Sequence, residues 1–170
     1  MTLGDQWDLP QPRDAFDEKL LDDVRRYGWH CVLVADEHHP EHAAQNAALG
    51  PHPIYDAAFA YTVGVEVSFA HPELILVGRW QHAHPFLAQA VSLVKEGHRF
   101  APGDSSTDVL DGYPVRFGVV SDFRRIELLT CVDWLNRGRA FSALQLILPD
   151  RAGRWPDDPA YDAYPQPLLA

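Results

Sequence analysis

Residues 57–65 read AAFAYTVGV and residues 71–78 read HPELILVG, and these two stretches decide the fold class. In the first, Phe59, Tyr61, Val63 and Val65 would point to one side of a strand, and Ala58, Ala60, Thr62 and Gly64 to the other. A strand built this way packs a core with its large face and lets a helix or a ligand come close on its small face. In the second stretch a His-Pro turn leads into an apolar strand over 74–79, expected to run antiparallel to the first.

The neighbouring segments extend this picture. Upstream, Phe16, Leu20, Leu21, Val24 and Tyr27 form a one-sided stripe on a helix over 14–27, started by Asp14 and stopped by Gly28. WHCVLVA at 29–35 is β-branched and apolar, a strand. Residues 36–56 are polar, carry three prolines and read as a long surface loop. Downstream, a helix is expected from Pro85 to Gly97, then a turn-rich stretch in which Ser105, Ser106 and Thr107 look like helix-starting residues before one turn over 106–111. A strand over 115–121, a short helix through Leu128, Leu129, Val132 and Leu135, and a last strand over 141–148 complete the core. Residues 1–12 form an irregular arm and residues 149–170 a tail rich in proline and aromatics. Helices and strands do not alternate in βαβ units, which disfavours a doubly wound parallel sheet. The expectation is an α+β fold: one domain over 13–170, with a mostly antiparallel sheet of about five strands and three helices packed on it.

Composition narrows the functional classes. A net charge of −10 argues against nucleic acid, which needs a basic footprint. No apolar run approaches the roughly 20 residues of a bilayer span, and the opening residues lack a basic flank and an apolar stretch, so a membrane partner is not expected and a cytoplasmic location is. Twelve of the 14 basic residues are arginine, as a GC-rich bacterial genome would give, and only Lys19 and Lys95 are lysine. Cys31 and Cys131 each sit in an apolar run and read as reduced thiols serving as small core residues.

GWHCVLV, FAYTVGV, HPELILVG, KEGHRF, DGYPVRF, LQLILPDRAGRWP and QPLL, in this order from Asp23 to Leu169, resemble the domain of unknown function 4262 family. The FAYTVG–HPEL pair and the carboxyl-terminal pattern are together specific. The resemblance implies a common fold and carries no catalytic residues with it. The chain departs from the family at 36–56, where the usual connection is shorter, so a role for that loop would be private to this protein. YTVGV before a His-Pro turn is also reminiscent of flavin-binding split barrels, but the basic and hydroxyl residues those use for phosphate are not found. No cofactor is expected.

Six polar residues stand in unusual places. His30 lies in an apolar strand with Val32 and Val34, and is either a satisfied core histidine or part of a site. Tyr61 and Thr62 are mid-strand. His71 and Glu73 flank Pro72 and could be an acid–base pair; alternatively Glu73 caps backbone N–H groups while His71 rests on the surface. Gln145 sits between two leucines, where an amide must find partners. Gathered on one hollow beside the small-residue face, these six would form a pocket for a small molecule. No catalytic motif is recognised, so the competing expectation is an interaction or regulatory domain, self-associating as a homodimer, with Trp155, Tyr161 and Tyr164 available for docking. In the cluster His38, His39 and His42, the first and last are spaced like zinc ligands on a helix but have Pro40 between them; His82 and His84 alternate like strand ligands but sit just before a helix start, and no metal is expected.

Overall fold

The computed structural model describes residues 8–34, 58–78 and 80–170. The loop expected over 36–56, with His38, His39 and His42, lies outside these residues.

Asp14 adopts extended backbone and its side chain accepts from the Asp17 N–H, opening helix α1, Ala15–Tyr27. Gly28, at φ 87°, donates its N–H to Val24 O and turns the chain back. Strand β1, His30–Val34, follows as a sheet edge. Strand β2, Phe59–Val63, pairs antiparallel with it. The strand stops two residues earlier than alternation suggested, because Gly64 at φ 104° starts a short helix α2, Val65–Phe69. Strand β3, Glu73–Val77, is antiparallel to β2, as expected.

Helix α3, Trp80–Lys95, begins five residues before the proline chosen as its start and holds Pro85 inside its second turn. Strand β4, Ser105–Leu110, replaces the helical turn expected at 106–111. Ser105, Ser106 and Thr107 therefore do not start a helix; they belong to an exposed edge strand paired with β5, Tyr113–Val119. Helices α4, Asp122–Leu128, and α5, Thr130–Leu135, divide what read as one helix, breaking at Leu129. Strand β6, Ala143–Ile147, closes the element order.

The sheet is six-stranded, in the order β1-β2-β3-β6-β5-β4. It is mixed: β6 inserts between β3 and β5 and runs parallel to β3. That parallel pair needs a long crossover, supplied by everything from α3 to α5. The large face of β2 (Phe59, Tyr61, Val63) packs with Ile75, Leu20, Val24, Val132 and Leu135 from α1 and α5. The small face carries Ala60, which packs with Leu76, Leu146 and, from α3, Ala83, Leu87 and Ala90. Val65, having left the strand, belongs to this second cluster and not to the first. Burying each Leu or Val side chain of these layers is worth about 1.5–3 kcal/mol.

The tail is folded back on the sheet, with Tyr164 exposed. Trp155 lies under the Arg116 guanidinium at 3.8 Å, and the Tyr161 hydroxyl donates to Tyr164 O at 2.9 Å. Asp150 accepts from the N–H groups of Ala152, Arg154 and Asp162 and from Arg154 Nε. Burial opposes the charge of Asp150, but these donors outweigh it and hold its carboxyl down at about 2. Among the described residues no helix is long and apolar enough to cross a membrane.

Candidate functional site

The FAYTVG strand and the HPEL turn meet in a buried carboxylate. Glu73 opens β3 with 1% exposure. Its Oε2 accepts from Thr62 Oγ1 at 2.6 Å, and its Oε1 accepts from the N–H groups of Gly64 at 2.9 Å and Glu66 at 3.1 Å. Thr62 Oγ1 in turn accepts from Leu74 N at 2.9 Å. Helix α2 has no side-chain cap of its own, so Glu73 caps it from the next strand. Burial pushes the Glu73 carboxyl up to about 7, and the Thr62 hydroxyl with the N–H groups of Glu66, Gly64 and Val65 only partly restrains it.

Glycine is required where these elements touch. A Cβ on Gly64 would stand 2.9 Å from Gly28 O, besides the strain of its positive φ. Ser68 Oγ donates to the same Gly28 carbonyl at 2.6 Å, tying α2 to the end of α1.

His71 is buried, not on the surface. Its Nε2 accepts from Phe100 N at 3.0 Å, so the ring is neutral with its proton on Nδ1, donated to Pro72 O at 2.8 Å. Burial pushes its pKa below the ordinary 6.5. With both nitrogens committed to backbone, His71 does not pair with Glu73. Tyr61, 1% exposed, offers its hydroxyl oxygen to Cys131 N at 3.3 Å, and burial raises its pKa. Gln145, also 1% exposed, donates to Pro167 O at 2.9 Å and accepts from Leu169 N at 3.0 Å.

The six residues therefore do not share a hollow. The structure brings together only Thr62 and Glu73. Tyr61 and Gln145 flank Ile75 on the α1 and α5 side of the sheet, while the small face of β2 is filled by α3. The physical reason is satisfaction: each buried polar group has found a main-chain or hydroxyl partner and has nothing left to offer a ligand.

His30 is the exception. Because Gly28 reverses the chain, the first residue of β1 comes back beside the last turns of α1. His30 Nδ1 donates to Asp23 Oδ2 at 2.7 Å, and Lys19 Nζ donates to the same oxygen at 2.9 Å. Partial burial opposes ionisation of Asp23, yet the bonds from Lys19 and His30 outweigh it and hold the carboxyl below its ordinary 3.8. The pair lies in a cleft of about 360 Å³ between α1, β1 and α3, with His84, Lys95 and Trp29 on its walls. Trp29 and His84 stack at 5.7 Å and 24°. Cys31 also reaches this cleft, but burial pushes its thiol up to about 12, far from a thiolate nucleophile. Burial likewise raises the pKa of the Cys131 thiol.

A carboxylate on Nδ1 fixes the imidazole orientation and leaves Nε2 as the atom that can accept a hydrogen bond or a proton. Among the described residues nothing is bonded to His30 Nε2. Asp23, Lys19, Lys95 and Trp29 escaped the sequence reading. The available signal was Lys19 and Asp23 four apart on the polar face of a helix ending at Gly28, two residues before His30. His82 and His84 stand on α3, and among the described residues no group of three His, Cys, Asp or Glu side chains is placed to hold a metal ion.

No curated protein and no solved structure matches the chain. Residues 23–162, which span β1 through β6, match a family, and the chain belongs to it: Domain of unknown function (DUF4262).

Proposed function

We propose that the protein binds a small molecule in the cleft between α1, β1 and α3. The observation that carries this reading is the Asp23–His30 bond of 2.7 Å at the edge of an open cleft. Thr62, His71, Glu73 and Gln145 are bonded to backbone or to one another; the oriented His30 imidazole has no partner on Nε2 among the described residues. The cleft lies at the lower end of the range of about 300–1,000 Å³ usual for ligand sites. The Trp29–His84 stack adds an aromatic wall, and the neighbouring end of β2 is reached through the His30–Val63 pairing. No reaction is assigned.

The test is a fragment screen read by amide and imidazole NMR signals. Ligands are expected to shift His30, Trp29 and Cys31 together and to lose affinity in His30→Ala. Hits confined to other surfaces would remove this reading.

A second reading, self-association, is favoured by one exposed face. Phe123 (68% exposed) and Ile126 (59%) stand three apart on α4. Exposed Val119 precedes α4, and exposed Leu168 belongs to the tail that Ser121 N holds through Leu169 O. An apolar cluster of this kind on a solvent-facing helix suits a symmetric partner. Sedimentation should then show a dimer at tens of micromolar that Phe123→Asp/Ile126→Asp reduces to monomer; a wild-type chain that stays monomeric at the highest attainable concentration removes the dimer.

A further inference from the structure

We infer that the occupant of the α1–β1–α3 cleft is a small anion, a carboxylate or phosphate ester, held between Lys19 and Lys95 beside the His30 ring. This rests on the reading above that the cleft takes a small molecule, and it names the class.

The chain has a net charge of −10 and only two lysines in 170 residues. Both line this one cleft, although they are 76 positions apart in sequence and stand on different helices. Lys19 approaches from the middle of α1 and Lys95 from the last turn of α3. Among the described residues no arginine lines it. One carboxylate, Asp23, faces the two ammonium groups, and it already accepts from both Lys19 and His30. The two ammonium groups thus outnumber the one carboxylate charge. A cleft of one sign on a protein of the other focuses the field on a ligand of opposite charge.

The chemistry of lysine fits a small anion better than a large one. An ammonium group is a compact charge on a flexible stem, with three rotatable donors that adapt to carboxylate or phosphate oxygens. Lys19 is 70% exposed, so its stem is free to swing from Asp23 onto an entering oxyanion. Asp23 would keep His30 Nδ1 and so hold the ring in place as a wall beside the ligand. Lys95 has its ammonium 5.5 Å from the Phe69 ring, and that ring also packs where Gly28 turns. The second cation is thereby anchored to the same corner that positions His30. The Trp29–His84 stack would meet the ligand's carbon skeleton.

The experiment uses the full chain at pH 7 and constant ionic strength. Sodium phosphate and sodium succinate are titrated while the His30 imidazole nitrogens are observed, with glycerol and tetramethylammonium as uncharged and cationic probes. A saturable shift of His30 by phosphate or succinate, with a dissociation constant raised about tenfold or more in Lys95→Ala and in Lys19→Ala, is the expected result. Lys95→Ala leaves the Asp23 bonds intact, so it reports on the ligand alone. Unchanged affinity in both lysine variants overturns the proposal. So does a non-saturating shift that sodium chloride reproduces, which would be screening. Saturation by glycerol or tetramethylammonium but by neither anion overturns the ligand class and leaves the small-molecule reading standing. No saturable response of His30 to any probe overturns both.

Discussion

Glu73→Ala is expected to cost about 4 kcal/mol, a large part of the roughly 5–15 kcal/mol that holds a domain together. The substitution strands Thr62 Oγ1 and the N–H groups of Gly64 and Glu66 in a place water does not reach. Each buried donor without an acceptor costs about 1–3 kcal/mol, and the vacated volume adds to the penalty. Glu73→Gln separates connectivity from charge. Its amide oxygen can still accept from Gly64 and Glu66, and its NH₂ can donate to Thr62, so the loss should stay near 1 kcal/mol. Chemical denaturation of the two variants at pH 5 checks both figures; equal losses would mean that the carboxyl group's hydrogen bonds are not what the fold needs.

The same residue gives stability a particular pH dependence. Glu73 ionises at about 7 in the folded chain against an ordinary 4.5. The folded state therefore binds this proton more tightly than the unfolded state. Its contribution is fully present below about pH 4.5 and is lost as pH rises to about 7, to a total of about 3 kcal/mol. Asp17, Asp23 and Asp150 have the opposite sign. Their folded values lie below the ordinary 3.8, so what they contribute is present above that pH and lost as acid protonates them. His71, whose folded value lies below 6.5, works against the Glu73 loss by adding stability as pH rises toward 6.5. The Glu73 contribution is therefore read as a difference: wild type should lose more stability between pH 5 and 7, or gain less, than Glu73→Gln, and identical profiles would contradict the assignment.

Local signals were legible and long-range ones were not. Helix α1 could be read from Asp14 and Gly28, because capping is decided within a few residues. The two faces of β2 could be read from alternation alone, since successive side chains must part to opposite sides. Strand β4 failed because Ser105, Ser106, Thr107 and Asp108 are an exposed edge with little apolar pattern to show, and their hydroxyls resemble helix caps. Strand β6 could be read from its apolar run, but its parallel insertion beside β3 could not, because register between residues 73 and 143 has no local trace. For the site, the sequence drew attention to Thr62, Glu73 and His71 as chemically unusual. Backbone capping by Glu73 was one of its alternatives, but it could not show that Thr62 and His71 are satisfied too, while His30, whose Nε2 has no partner among the described residues, takes its Nδ1 partner from seven positions upstream across a glycine turn.

Leu169→Ala is expected to cost about 3 kcal/mol and its neighbour Leu168→Ala under about 0.5 kcal/mol. Leu169 is fully buried among Tyr61, Ile75 and Val132, whereas Leu168 is 52% exposed. What sets this phase is a pair of glutamines gripping from opposite sides. Gln145, on β6, holds the tail by Pro167 O and Leu169 N. Gln166, on the tail, holds the end of the sheet by Leu148 N at 2.9 Å and Leu148 O at 2.7 Å. Each amide uses both its donor and its acceptor on main chain, so neither tolerates a shift of one residue. Gln145→Leu should then cost as much as Leu169→Ala, because it leaves a carbonyl and an N–H unpaired in the core and releases the same segment. Since either change undocks one unit, the double variant should lose little more than the worse single variant. Additive losses in thermal or denaturant unfolding would show the leucine and the amide acting separately, and the tail would then be a set of independent contacts and not a single clasp.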